Sequence, residues 1–297
     1  MPNGRAVMSE TAAPVLKWAG GKRALLGQYE PHLPATFRAY HEPFVGGGAV
    51  FFHLRPRLEQ TVHLSDVNAE LINLYRALRD ELPAVMKRLE EHRRRHNSDY
   101  YYKIRSVHPD KLDPTRRAAR LIYLNKTCYN GLYRVNARGY FNVPLGRYTN
   151  PTILDRERLQ AASSALQGVE LRQETFEMVL ERAAEGDLVY FDPPYQPLTR
   201  TANFTSYTAD SFAESDQARL AEVYRELDRR GVQVLLSNSD TPLVRKLYRG
   251  FTLHEIQAPR FINSKASLRK AIGELLVSNL EPARTPTRKK RALAACT

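Results

Sequence analysis

Tyr40-His41-Glu42-Pro43-Phe44-Val45-Gly46-Gly47-Gly48 reads as a strand running into a glycine-rich turn, with a short helical stretch beyond it. The strand-like run covers residues 38–45. Glycine at such a turn lets the backbone come close to a ligand. Eighteen residues past Gly48, at the end of a second short run over 61–65, stands Asp66. In a nucleotide-type α/β fold, an acid there accepts hydrogen bonds from ribose hydroxyls. A plain tight turn would also explain the glycines. The acid at the end of the next strand points instead to an adenosyl ligand. The spacing is not G-x-G-x-x-G, and no G-x-x-x-x-G-K-[ST] occurs in the chain, so a phosphate loop is not expected.

Outward from this stretch, strands and helices alternate. Leu71, Leu74, Tyr75 and Leu78 recur at helical spacing and predict a helix over 69–80. Residues 83–97 and 114–126 read as two more helices, each with proline near its start, where a missing N–H costs nothing. Strand signals return at 169–172, 188–191, 232–237, 251–256 and 274–277. A helix over 214–230 carries the stripe Leu220, Val223, Tyr224 and Leu227, and Gly231 supplies its C-terminal cap. The alternation implies an open α/β sheet. The helical stretch over 76–150 interrupts it and reads as an inserted second domain, with a loop or hairpin over 128–151. The expected organisation is a flexible arm over 1–14, a main domain over 15–75 and 155–280, an insert over 76–154, and a disordered basic tail over 281–297.

Charge follows the same division. The chain of 297 residues has a formal net charge of +13. Residues 76–150 hold 17 Lys and Arg against 7 Asp and Glu, and the tail from Pro282 adds five basic residues and no acid. Those two segments carry the whole basic excess. Tyr129, Tyr133, Tyr140, Phe141 and Tyr148 interleave with the basic residues of the insert. Such a face suits a polyanion, with rings to stack on bases or buttress a groove; a solvated basic surface is the plainer reading of charge alone. Hydrophobic residues at 42% and charged residues at 26% describe a globular chain. No stretch approaches ~18 consecutive apolar residues, so no membrane span is expected. The first residues do not read as a signal peptide. Two cysteines, Cys128 and Cys296, allow neither a disulfide framework nor a cysteine-type zinc site, and a reducing cytoplasm is the expected compartment.

Two further motifs carry chemistry. Asp192-Pro193-Pro194-Tyr195 ends the apolar run 188–191. An acid at the carboxyl end of a sheet strand points into the ligand crevice. The two prolines lack N–H groups and fix φ near −65°. The Asp192 and Pro193 carbonyls therefore join the carboxylate as acceptors for an amino group, and Tyr195 offers a flat face. A strand end followed by a turn is the plainer reading. Lys17-Trp18-Ala19-Gly20-Gly21-Lys22 holds the only tryptophan of the chain. Read alone it is a hydrophobic plug.

Taken together, Lys17–Lys22, Glu42–Gly48, Ser65-Asp66-Val67-Asn68 and Phe191–Tyr195 resemble, in order and spacing, the Dam-type, D12-class DNA adenine-N6 methyltransferases of the α group. The likeness covers about residues 15–280 and includes the stretches 129–136, 141–148 and 201–207. It implies a Rossmann-like methyltransferase sheet with an inserted, mainly helical DNA target-recognition domain. It also implies methyl transfer from S-adenosylmethionine to adenine N6 in double-stranded DNA, within GATC. By this resemblance Trp18, Ala19, Gly20 and Lys22 line the cofactor's methionine end. Glu42, Phe44, Gly46 and Gly48 form its turn, Asp66 binds its ribose, and Thr175 and Phe176 lie beside its adenine. Asp192, Pro193, Pro194 and Tyr195 hold the target adenine, with Asp192 also at the cofactor. Lys17, Tyr129, Asn130, Leu132, Arg134, Arg147 and Tyr148 face DNA, Arg134 being the natural guanine reader. The polar stretch 196–211 reads as a lid. No metal and no obligatory protein partner is expected, and the enzyme is expected to be monomeric. Two rivals stand beside this reading: methylation of RNA or of cytosine N4, and a non-catalytic DNA-binding protein on a decayed methylase fold.

Overall fold

The structure, a computed structural model, describes residues 12–195, 212–257 and 273–280. The basic tail, the lid over 196–211 and most of the N-terminal arm lie outside the described residues.

Seven strands form one sheet: β1 (Ala39–Glu42), β2 (Thr61–Asp66), β3 (Glu170–Gln173), β4 (Leu188–Phe191), β5 (Gln233–Ser239), β6 (Thr252–Gln257) and β7 (Gly273–Ser278). Their order is β3-β2-β1-β4-β5-β7-β6. The first five are mutually parallel, and β7 runs antiparallel to both β5 and β6. Parallel strands are covered on both faces and so read as continuous apolar runs; every residue of β4 is buried. The chain steps outward from β1 through β2 to β3 and then returns to place β4 on the other side of β1, with Tyr40 opposite Leu188 and His41 opposite Val189. That reversal opens a crevice at the carboxyl ends of β1 and β4, where open α/β sheets bind ligands. The expected α/β class and the five later strand signals are all met, with boundaries shifted by a residue or two.

The helices are α1 (Leu26–Tyr29), α2 (Ala49–Leu54), α3 (Ala69–Asp80), α4 (Leu82–Arg95), α5 (Ser98–Arg105), α6 (Pro114–Thr127), α7 (Arg156–Leu166), α8 (Glu214–Arg229) and α9 (Pro242–Leu247). The predicted helix over 69–80 coincides with α3, whose cap Asn68 accepts from the Glu70 amide. One face of the sheet buries Val189, Phe191 and Val234 against Leu220, Tyr224 and Leu227 of α8. The other buries Leu64 and Tyr40 against α3, and that apolar cluster continues without a break through Val85, Leu89, Tyr101 and Leu121 of the helical insert. After α6 the chain forms an irregular hairpin, with antiparallel bridges pairing Cys128 with Leu145 and Val135 with Phe141. Its first turn holds Asn130 at φ 55°, the only non-glycine positive φ among the described residues. Asparagine reaches that conformation at lower cost than other side chains.

Candidate active site and nucleic-acid interface

Asp192 follows β4 directly, and its carboxylate enters the crevice with its side chain about one-fifth exposed. Lys22 opens a short helical turn over Lys22–Ala24 and is almost fully buried. Its Nζ lies 2.7 Å from Asp192 Oδ1, donates to the Gly20 carbonyl at 2.7 Å, and stands 4.4 Å from the Tyr195 ring centroid. Ser237 on β5 donates to Asp192 Oδ1 at 2.8 Å. Since the Ser237 proton is used there, Tyr190 supplies the donor of the 3.0 Å Tyr190–Ser237 bond. Burial raises the Asp192 carboxyl above its ordinary range, opposed by the Lys22 charge and the Ser237 bond. The Pro194 carbonyl accepts from Gln217 of α8 at 3.1 Å, and Gln217 in turn accepts from Asn238 of β5. The turn after β4 is thereby anchored to its neighbouring elements.

Behind this pair lies Glu274 of β7, buried and bonded to the Tyr29 hydroxyl. Burial also raises its carboxyl, with Lys22, Tyr29 and Tyr195 acting the other way. The Tyr195 phenol is pushed far up by burial and by the charges of Asp192 and Glu274, so it stays neutral.

On the β1 side, Asp66 accepts from the Gly46 amide at 3.0 Å and from the Asn68 amide at 2.9 Å. The Gly46 carbonyl accepts from the Tyr75 hydroxyl at 2.7 Å. The glycine turn is thus tied down at Gly46 through both its amide and its carbonyl. Its glycines have a steric reason within the protein itself. A Cβ on Gly47 would lie 2.9 Å from Trp18 Cβ, one on Gly46 3.1 Å from Trp18 Cδ1, and one on Gly48 3.1 Å from Phe52 Cε2. Trp18 packs directly on the turn. Glu42 is buried and accepts from the Tyr40 hydroxyl at 2.7 Å. Burial, with Asp192 and Asp66 nearby, pushes its carboxyl up to about 8.

The structure brings Trp18, Gly20, Lys22, Gly46, Asp66, Asp192 and Tyr195 to one crevice. Glu42 and Gly48 lie beneath its surface rather than on it. Phe44 stacks on Phe176 at 5.4 Å, with Thr175 exposed beside them. Next to Asp66, Val67 is the most exposed large apolar side chain described, at 60%. Ala19 lies exposed between Trp18 and Gly20.

The proposed DNA-facing residues gather on the hairpin and on Lys17. Tyr129, Leu132 and Tyr148 are exposed rings and apolar groups, and Asn130 and Arg147 are exposed too. Lys17 Nζ sits 5.1 Å from the Tyr148 ring centroid. Arg134 is half-buried; its Nε donates to Asn142 Oδ1 at 2.6 Å and its Nη2 to the Asn142 carbonyl at 3.3 Å. Sequence reasoning missed Ser237, Glu274 and Asn125. Ser237 and Glu274 are polar residues on apolar strands, and Asn125 is a buried amide in the apolar stretch of α6; polar residues so placed are the signal that could have found them.

The sequence model described as D12 class N6 adenine-specific DNA methyltransferase matches residues 18–262. The chain is 43% identical over 272 residues to the type II methyltransferase M1.LlaDCHI of Lactococcus lactis subsp. cremoris, covering 90% of this chain and 95% of that protein. It is 43% identical over 284 residues to the type II methyltransferase M.MjaIII of Methanocaldococcus jannaschii, covering 90% and 98%. To the DNA adenine methylase of Escherichia coli K12 it is 40% identical over 264 residues, covering 88% and 93%.

Proposed function

The chain belongs to the D12 class of N6 adenine-specific DNA methyltransferases, and from that membership we propose its methyl donor, the form of its DNA substrate and the roles of its residues. The donor is S-adenosylmethionine, which supplies an electrophilic methyl group on a cationic sulfur. The substrate is an adenine flipped out of double-stranded DNA, within GATC. Residues 15–75 and 155–280 carry out methyl transfer, residues 76–154 recognise the target, and the enzyme acts as a monomer in the cytoplasm. No helix of the described residues is long and apolar enough to cross a membrane.

One observation carries the reading of the donor site: among the described residues, acidic groups outnumber the one ammonium, Lys22, at the crevice. Asp66 and Asp192 supply the negative charge there, and the buried Glu42 beneath them has its carboxyl pushed up to about 8 by burial and by the charges of those two, which keeps it protonated near neutral pH. A cationic ligand relieves that excess of negative charge. Asp66 offers its remaining acceptor capacity to ribose hydroxyls, Trp18 and Val67 supply apolar walls, and Phe44 with Phe176 flanks the purine.

The chemistry at adenine follows from Asp192. The N6 lone pair is conjugated into the ring and is barely nucleophilic. A carboxylate and the Pro193 carbonyl that accept its two N–H bonds draw the nitrogen toward sp³ and free the pair. Methyl transfer would leave the donor as a neutral thioether, and the methylated N6 would give up one proton through the Asp192 carboxylate to solvent, so alignment matters more than strong-base catalysis. Lys22 and Ser237 hold the carboxylate in place and favour its ionised form against burial, and the neutral Tyr195 ring stacks on the extruded base. At the hairpin, the block 129–134 resembles the base-reading turn of GATC-specific members. Asn142 fixes the Arg134 guanidinium plane, as a bidentate guanine reader requires. Tritium transfer from labelled S-adenosylmethionine to matched DNA and RNA tests this reading. Incorporation into RNA, or into cytosine of DNA, would overturn it.

A further inference from the structure

Asn125 sits near the end of α6, 1% exposed, and takes no part in the mechanism above. Its Oδ1 accepts from the Lys17 backbone amide at 2.9 Å. Its Nδ2 donates to the Lys17 carbonyl at 2.8 Å and to the Gly131 carbonyl at 2.8 Å. Backbone groups fix the orientation of the amide, because only its oxygen can meet an N–H and only its nitrogen can meet two carbonyls. One side chain therefore joins two segments over 100 residues apart in sequence.

The two segments also touch directly. A Cβ on Gly131 would lie 2.6 Å from Lys17 Cδ, and Gly131 holds φ +67°. One residue past Lys17 and two past Gly131, the Trp18 ring meets Tyr133 of the hairpin at 5.0 Å. Trp18 covers the Gly46–Gly47 turn, and the same segment ends at Lys22 on Asp192. One continuous packed path thus links the hairpin to the glycine turn and to the Asp192 carboxylate.

We propose that Asn125 is a positioning residue that couples DNA engagement by the turn 129–134 to the cofactor segment 17–22, so that DNA and S-adenosylmethionine bind cooperatively. The proposal rests on the assignment of that turn to DNA. Coupling between two sites is reciprocal, so one ratio measures it: the affinity for one ligand with and without the other.

The experiment measures the dissociation constant of S-adenosylhomocysteine, a non-reacting ligand, with and without a GATC duplex. It uses wild type, Asn125→Ala and Gly131→Ala, with thermal melts reporting folding. Gly131→Ala leaves α6 intact and pushes Lys17 off the turn, so it tests the same path if Asn125→Ala does not fold. The wild-type ratio should be at least about fivefold, at the lower end of typical couplings, and should fall toward one in each folded variant. A wild-type ratio of one, or an unchanged ratio in a folded variant, overturns the coupling. Wild-type protein that methylates DNA yet shows a ratio of one sinks the coupling alone. Protein that binds neither ligand sinks the functional reading beneath it.

Discussion

Lys22 Nζ and Asp192 Oδ1 stand 2.7 Å apart, in a crevice that Asp66 also lines and beneath which Glu42 is buried. The ammonium lowers the Asp192 pKa against the effect of burial. Lys22→Met should therefore raise that pKa, and the ionised carboxylate is the stronger acceptor of N–H bonds. The acidic limb of the kcat profile should move to higher pH. Asp192→Ala should remove nearly all turnover even at saturating cofactor. Residual turnover within about tenfold of wild type, on a scale of ~1.4 kcal/mol per decade, would contradict the assigned role.

Asp66 serves two backbone amides as well as the proposed ribose. Asp66→Ala should weaken S-adenosylmethionine binding by about 1.5–3 kcal/mol, the worth of a hydrogen bond to a charged group. It should also loosen the Gly46 turn. Calorimetry that returned an unchanged dissociation constant would place the ribose elsewhere.

Gly47→Ala introduces a Cβ 2.9 Å from Trp18 Cβ. Trp18 must move, and overpacking of this kind costs about 1–3 kcal/mol. Trp18 is the only tryptophan of the chain, so its fluorescence reports the displacement without interference. An unaltered emission spectrum with unaltered cofactor affinity would show that the ring does not rest on the turn.

Glu42 gives a pH signature. Its carboxyl rises from the ordinary 4.5 to about 8 on burial. Between those values the folded state holds more protons than the unfolded state, so stability falls as pH rises through that window. Each unit of displacement is worth about 1.4 kcal/mol. His41 and His92, lowered by burial to about 4, act in the opposite sense as pH falls below 6.5. The difference between wild type and Glu42→Gln isolates the carboxyl: the variant should lose less stability between pH 5 and pH 8. Parallel denaturation curves across that range would show that Glu42 is ionised in the folded protein.

Much of this site could be read from the sequence because its acids end strands. Asp66 closes a short strand run and Asp192 an apolar one, and a parallel sheet gathers such ends at one crevice. The glycines were legible as a turn, but the packing of Trp18 on them was not, since residues 18 and 47 meet only through tertiary structure. Ser237 and Glu274 escaped notice for the same reason: each is an unremarkable polar residue until β5 and β7 bring it beside Asp192 and Tyr195. The helices α5 and α7 lack a strong apolar period. Their caps Asn97 and Asp155, which accept from the Tyr100 and Arg158 amides, were the available signals.

Arg134 divides base reading from phosphate anchoring. As a guanine reader, its replacement by alanine should relax discrimination at one base pair by about 1–3 kcal/mol. As a phosphate anchor, the same change should weaken all sites alike. Binding to a panel of single-base variants of the site separates the two.

The central claim is that this chain methylates adenine N6 of duplex DNA at a defined site. The most direct measurement is single-molecule sequencing of modified bases in DNA from a methylase-deficient host expressing wild type, with Asp192→Ala beside it. The account predicts N6-methyladenine concentrated at GATC in the wild-type DNA and absent with Asp192→Ala. N6-methyladenine concentrated at another sequence would correct the site alone. DNA without N6-methyladenine, or equal modification with Asp192→Ala, would contradict the account.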